Sequence, residues 1–305
     1  MNRRDFFRTA AAAPLAAAGA APVDLGKLPV RKVGKVETVF RTPEGTHPNG
    51  LQATKDGLWF IDQSEGSRAF LVNYDDGRVL RSFETETDRS SGITYDGESA
   101  LWIGSTYNRA TVKVDAMTGK TLEKRFTPGA GVIYQMAGDP PARSSPLAPH
   151  NGRGGRGRGR GSGASAGAQV NAQGGQMVGG FQAGNLLGPQ ALGTGAHGQE
   201  WRDGKLWFVV PPSRMVYSID PKTWIVQTRF PVAGNRPHGI GWEGRYLWVA
   251  DSNLNAFFKH DTETGAMTEK IQLGDSDPLP HGMTIWNGYM WYCDDVGVVC
   301  RFKMS

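Results

Sequence analysis

Pro237-His238-Gly239-Ile240-Gly241-Trp242-Glu243-Gly244-Arg245-Tyr246-Leu247-Trp248-Val249-Ala250-Asp251 is one copy of a motif that the chain writes five times. A polar residue and Gly open it, a short variable stretch follows, and a large apolar residue and Trp come next. The other copies are Asn49-Gly50…Leu58-Trp59, Ser91-Gly92…Leu101-Trp102, His197-Gly198…Leu206-Trp207 and His281-Gly282…Met290-Trp291. The anchor glycines Gly50, Gly92, Gly198, Gly239 and Gly282 are 42, 106, 41 and 43 residues apart. A period near 42 suits the four-stranded blade of a β-propeller.

Each unit carries the same strand grammar. In the third, strand A is expected from His197 to Arg202, B from Leu206 to Val210, C from Val216 to Asp220 and D from Ile225 to Val232. The C strands end in turn chemistry: Asp75-Asp76-Gly77, Asp115 to Gly119, Asp220-Pro221 and Asp261 to Gly265. The fifth unit stops one strand short, after Val298–Met304. The missing strand is expected at the other end of the chain, because Val36 to Pro43 matches the strand D of Thr121 to Pro128. Completing the last blade with the first strand removes both sheet edges. The fold expected is all-β, a five-bladed propeller; a sixth blade would need a further motif copy in the long gap, which has none.

The expected organisation is a leader at 1–21, a linker at 22–33, blades 1 and 2 with the closing strand at 34–130, an insertion at 131–190 and blades 3 to 5 at 191–305. Asn2-Arg3-Arg4-Asp5-Phe6-Phe7, an Ala-rich run and Ala18-Gly19-Ala20 read as a cleaved twin-arginine signal, which implies a folded, periplasmic or extracellular protein with no membrane span after cleavage. The insertion includes Gly152 to Gly161, an Arg-Gly run whose composition predicts disorder. Its more apolar shoulder, Gly131 to Pro141, has the character to drape over one face of the ring. The formal charge of +5 is confined: the leader carries +2 and the 139–193 segment +4, leaving the repeats at −1. That distribution argues against a nucleic-acid partner. A monomer is expected.

Cys293 and Cys300 flank Asp294 to Val299, read as a tight hairpin with Val296-Gly297 at its turn. Outward counting places the two directly opposite, so a cross-strand disulfide is one expectation; buried thiols or a soft-metal pair are the others.

The residues that repeat in every blade are packing residues. Trp59, Trp102, Trp207, Trp248 and Trp291 belong to this class. Chemistry is expected where the copies differ. The position before each anchor glycine holds Asn49, Ser91, His197, His238 and His281, at the start of the innermost strand and at one mouth of the channel. Of the six histidines, these three and His47 fall at that ring. Converging imidazoles suit a divalent metal, with Mg, Zn, Fe and Cu not distinguished, or general-base duty. Thirteen residues on, strand B ends in Asp62, Gly104, Val210, Asp251 and Asp294, returning carboxylates to the same face. Arg109 and Arg214, less regularly Arg68, fall in the B–C loops there, and Arg236 precedes His238. The metal set expected is His197, His238, His281, Asp251 and Asp294; the catalytic candidates are His281 and His238. Arg109, Arg214, Arg236, Asn49 and Ser91 are the candidates for contact with a small-molecule or peptide ligand. His260, at the opposite strand end, and His150, in the insertion, carry no such expectation.

Pro237-His238-Gly239-Ile240…Leu247-Trp248-Val249-Ala250-Asp251 and Pro280-His281-Gly282-Met283-Thr284 resemble the repeats of streptogramin B (virginiamycin B) lyases and of the wider gluconolactonase-like and NHL-type propellers. The resemblance covers most of 34–130 and 191–305. It implies a His base beside Mg²⁺ and acidic residues that opens a cyclic ester by elimination, with His281 or His238 in that place. The family's second strand usually ends in Glu where this chain has Asp or no acid, and the family has seven blades. Plant-type glutaminyl cyclases resemble the chain as five-bladed, metal-containing propellers, but their Glu-Gly-Trp signature is absent. The function expected is a metal-assisted lyase or hydrolase acting on a cyclic ester or lactone; the alternative is a non-catalytic binding module for a peptide, glycan or protein.

Overall fold

The computed structural model describes residues 23–64, 66–136, 138–148, 176–177 and 194–304. The expected signal peptide, His150 and the Arg-Gly run lie outside them. Five four-stranded antiparallel sheets form the blades of a five-bladed β-propeller. Blade 1 has β2 (Pro48–Thr54), β3 (Gly57–Asp62), β4 (Arg68–Val72) and β5 (Val79–Glu84); blade 2 has β6 (Ile93–Tyr95), β7 (Ala100–Ser105), β8 (Ala110–Asp115) and β9 (Thr121–Phe126). Blade 3 is β12 (Gln199–Arg202), β13 (Lys205–Val210), β14 (Met215–Asp220) and β15 (Ile225–Pro231). Blade 4 is β16 (Pro237–Glu243), β17 (Tyr246–Asp251), β18 (Ala256–Asp261) and β19 (Met267–Gln272). Blade 5 has β20 (Met283–Trp286), β21 (Tyr289–Asp294) and β22 (Val298–Lys303), and β1 (Glu37–Arg41) is its fourth strand, antiparallel to β22. Between blades 2 and 3, β10 (Tyr134–Gln135) and β11 (Gln176–Met177) pair as a small ribbon.

The motif's two fixed residues close the ring in different ways. Each Trp sits in the apolar cluster of the next blade: Trp59 with Ile93, Leu101 and Ile103, and Trp102 with Leu206 and Phe208. Trp207 joins Ile240 and Leu247, Trp248 joins Met283 and Met290, and Trp291 returns to Leu51 and Leu58 of blade 1. The glycines meet backbone. A methyl on Gly50 would lie 2.2 Å from the Ser91 carbonyl oxygen, on Gly92 1.9 Å from that of His197, and on Gly198 2.2 Å from that of His238. Gly239 abuts the Met283 nitrogen, and Gly282 abuts Gly50, completing the circle. Five inner strands can approach this closely only where the contact position has no Cβ.

Cys293 and Cys300 are both buried free thiols, which corrects the disulfide expectation. The turn is a three-residue loop, Asp295 to Gly297, so Asp294 pairs with Val298 and Cys293 with Val299, while Cys300 faces Tyr292. One step of register sends the side chains to opposite sheet faces. Cys293 joins the cluster shared with blade 1 and Cys300 the cluster shared with blade 4.

The segment ahead of β1 is held to the outside of blade 4. Val30 bridges Lys270, and Arg31 reaches Glu243 at 2.6 Å and Glu269 at 2.7 Å. Burial alone would raise the Glu243 carboxyl, but hydrogen bonds from Arg31, Lys259 and Trp248 bring it down to about 2.

Candidate functional site

The B-strand acids show why their position recurs. Asp62 accepts the His47 and Ser64 amides at 2.8 and 2.9 Å, and Asp251 accepts those of Arg236 and Leu254, each at 3.0 Å. Asp294 accepts the Leu279 amide at 2.7 Å and that of Val296 at 3.3 Å. In three blades this carboxylate ties the entry of strand A to the turn after strand B. For Asp62 and Asp251 the locking contacts account for the residue.

The histidines of blades 3, 4 and 5 stand side by side at the mouth, with ring centroids 4.8 Å apart from His197 to His238 and 4.5 Å from His238 to His281. All three are buried. His47 is exposed at the rim. Burial depresses each imidazole, His197 to about 3, His281 to about 4 and His238 well below its usual value; positive charge nearby adds to this at His197 and His238, while Asp295 opposes it at His281. They are neutral bases at neutral pH. His238 has a defined tautomer. Ser252 Oγ donates to the Pro280 carbonyl at 2.5 Å, so it accepts from His238 Nδ1 at 2.8 Å; the Arg236 carbonyl lies 3.2 Å from the same nitrogen. The lone pair of His238 is therefore on Nε2. His197 Nε2 contacts Thr194 Oγ1 at 2.8 Å, and its Nδ1 is buried without a hydrogen bond among the described residues. The same holds for Asn49 Oδ1 and Ser91 Oγ, so the ring positions of three successive blades present unsatisfied polar atoms.

Charge gathers on the blade 5 side. Arg236 Nη2 lies 3.3 Å from His281 Nε2, and Asp295 Oδ2 lies 3.6 Å from the same nitrogen. Since arginine only donates, His281 Nε2 accepts and holds its lone pair there. Burial raises the Asp294 carboxyl to about 6 against hydrogen bonds from Ser145 and Leu279, and the neighbouring Asp295 adds to the rise. Burial pushes the Asp295 carboxyl up as well, but His281, the hydrogen bond with Asp294 and Arg236 hold it below the usual range. Among the described residues, His281, Asp294 and Asp295 form the group whose ligand atoms all fall within 4.8 Å of one another. The sequence reading assembled a different metal set: His197 and His238 stand beside this group, and Asp251 is engaged in its turn. Asp295 was passed over as a hairpin-turn residue; an acid directly after a B-strand acid was the available signal.

One imidazole and two carboxylates suit a divalent ion, and a cation there would hold ionised the Asp294 carboxyl that burial and Asp295 raise. Arg236 already supplies one such charge from within the cluster.

Residues 138–148, from the expected insertion, run across this mouth as a strap. Asp139 pairs with both guanidinium nitrogens of Arg214 at 2.6 Å. The Pro140 carbonyl accepts from Asn235 at 3.4 Å and the Arg143 carbonyl from Arg236 Nη1 at 3.0 Å. Arg143 donates its amide to Asn253 at 3.1 Å and pairs with Asp275 at 2.7 Å, and Ser145 Oγ donates to Asp294 at 2.7 Å. Arg214 and Arg236 thus reach the mouth, each held by the strap. Arg109 occupies the corresponding turn of blade 2, half-buried. Arg68 pairs with Glu84 on the blade surface. His260 is stacked on Phe230 in the core.

Below the ring lies a polar cluster that the sequence reading did not address. Glu200, two residues after anchor Gly198, is buried; burial raises its carboxyl to about 8 against hydrogen bonds from Thr284, at 3.3 Å, and Gln52. Thr94 donates to Gln52. The equivalent residues are Gln52, Thr94, Gly241 and Thr284, so a lone acid in that column was the missed signal.

No family model and no curated protein matches the chain. Solved structures do. Glutaminyl cyclase from Myxococcus xanthus superposes with a TM-score of 0.56 at 8% identity, over 90% of this chain and 97% of that one. Streptogramin B lyase gives 0.46 at 14% identity, over 88% and 97%. A catalytically inactive variant of virginiamycin B lyase from Staphylococcus aureus with quinupristin gives 0.45 at 17% identity, over 84% and 66%. At these identities the likeness is one of fold: the chain is a β-propeller whose structural neighbours include streptogramin B lyases.

Proposed function

We infer that the mouth is the active site of a small-molecule lyase or hydrolase exported to the periplasm, with a cyclic ester or lactone as substrate. The observation that carries this is the cluster of buried His281 and Asp294 with half-buried Asp295 and Arg236. A neutral imidazole whose basic nitrogen faces both a guanidinium and a carboxylate is poised to take a proton. The proton on the carbon adjacent to the ester's alkyl C–O carbon goes to His281 Nε2, its electron pair forms a C=C bond as that C–O bond breaks, and Asp295 stabilises the imidazolium formed. Arg236 Nη2, freed of its acceptor, donates to the carbonyl oxygen as charge develops there. The ester oxygen leaves as part of a carboxylate, which needs no proton, and His281 then releases its proton to water. A divalent ion held by His281, Asp294 and Asp295 would polarise the same carbonyl but would occupy the His281 lone pair, and His238 would then be the base. His238 keeps its lone pair on Nε2 beside His281 and acts as the second base.

The experiment is turnover of a panel of cyclic esters and lactones by metal-supplemented and chelated protein, with His281→Ala as comparator. Turnover lowered at least 100-fold by His281→Ala is the expected result. Turnover unchanged by that substitution sinks the assignment. The three unsatisfied ring atoms of Asn49, Ser91 and His197 favour a second reading, a non-catalytic binding module. It expects ligand affinity spread over several blades and no turnover.

A further inference from the structure

Arg214 occupies an unusual backbone position. Its turn between strands B and C recurs in every blade, and the residue there is left-handed throughout: Ser67 at φ 32°, Arg109 and Arg214 at 54°, Asn255 at 51° and Gly297 at 85°. Asn and Gly adopt this conformation readily; a long side chain does so at a cost of about 1 kcal/mol or more. In blade 3 the strained position carries a guanidinium that meets both oxygens of one carboxylate, each at 2.6 Å. That carboxylate belongs to Asp139, whose side chain is only 8% exposed. It is no part of any blade: it arrives on the strap. The Asp139 carboxyl is also held by the Met136 amide at 2.5 Å. Burial raises it, but Arg214 and these hydrogen bonds keep it below the usual carboxylate range.

We propose that Arg214, with Asn235 beside it, is a carboxylate-binding subsite of the mouth, and that Asp139 fills it as an internal competitor for the carboxylate of a small-molecule ligand. The assignment rests on the mouth being the ligand site, as inferred above, and adds a ligand class and a control. Paired, parallel donors to a planar two-oxygen group are the arrangement that arginine provides for carboxylates. Further along, the strap satisfies two more mouth groups, placing the Arg143 carbonyl on Arg236 and the Ser145 hydroxyl on Asp294. A ligand entering the site must displace all three contacts, and one with its own carboxylate recovers the strongest. A tethered competitor seated nine-tenths of the time lowers apparent affinity about tenfold.

The test is calorimetric titration of the mature chain with benzoate, and with sulfate as a non-planar anion. Asp139→Ala, and a second variant with 139–148 replaced by a Gly-Ser segment of equal length, are each expected to bind benzoate at least tenfold more tightly than wild type. Arg214→Ala on either background should remove the gain, and sulfate should bind more weakly than benzoate. A structural ion pair without a ligand role would show otherwise. Asp139→Ala would then melt earlier and gain no affinity, which overturns the proposal, as does a gain that survives Arg214→Ala. The outcome is independent of the catalytic reading: benzoate binding should persist in His281→Ala and in chelator, whether or not turnover is found.

Discussion

His281 and Glu200 are both buried ionisable groups, and burial drives them toward neutrality from opposite sides. The three ring histidines titrate below their unfolded value of 6.5, so the unfolded chain binds more protons as pH falls. Their stabilisation is complete above pH 6.5 and is lost as pH drops toward 4. Glu200 has the reverse sign. Its folded value of about 8 exceeds the ordinary 4.5, so the stability present below pH 4.5 is lost as pH rises through 8. Glu200→Gln is therefore expected to be nearly neutral at pH 5 and stabilising at pH 8.5. Urea denaturation at the two pH values checks this; equal effects at both would place the carboxyl in water. Activity should show an acid limb near pH 4 from His281, read from kcat/KM. At this scale the sequence exposed the histidines because three copies differed from the other two in one column. It did not expose Asp295, whose role depends on a turn bringing it back over His281, nor Glu200, whose neighbours come from blades 1 and 5.

Among the elements, the hairpin of β21 and β22 shows how far strand grammar reaches. Both strands were legible from alternation and the repeat. Their register was not, since a two-residue turn and a three-residue loop fit Asp294 to Val299 equally well, and that single residue decides whether Cys293 and Cys300 share a face. Native protein should leave both thiols unmodified by a thiol reagent and release two on denaturation, with a melting temperature indifferent to reductant. The anchor glycines belong to the same scale. Gly92→Ala places a methyl against the His197 carbonyl, a backbone atom that cannot turn aside. A loss of about 3 kcal/mol, or failure to fold, is expected from this overpacking; a mild effect in a thermal melt would mean that the inner strands can slide. The strap was legible only as a shoulder apolar enough to drape, because 138–148 follows no periodicity and its contacts are with groups scattered over blades 3, 4 and 5.

On the scale of the whole molecule, the sequence reading of five blades and a closing N-terminal strand agrees with the structure, because rotational repetition writes one packing problem five times. The ends are secured separately. Arg31 links the segment ahead of β1 to Glu243 and Glu269 of blade 4, so Arg31→Ala is expected to cost about 1–3 kcal/mol and to loosen hydrogen-exchange protection in β19 and β1 together. Loss of protection in β19 alone would separate the clamp from the closure. The closing strand also decides what the covalent chain is needed for. Residues 23–148 supply blades 1 and 2 together with the last strand of blade 5, and residues 194–304 supply the other three strands of that blade. Neither portion has a complete perimeter, and each carries the edge that the other lacks. Two polypeptides made by interrupting the chain between 149 and 175 are therefore expected to be complementing fragments, eluting as one particle in size exclusion only when mixed, with β1 crossing from one to the other like the hook of a clasp.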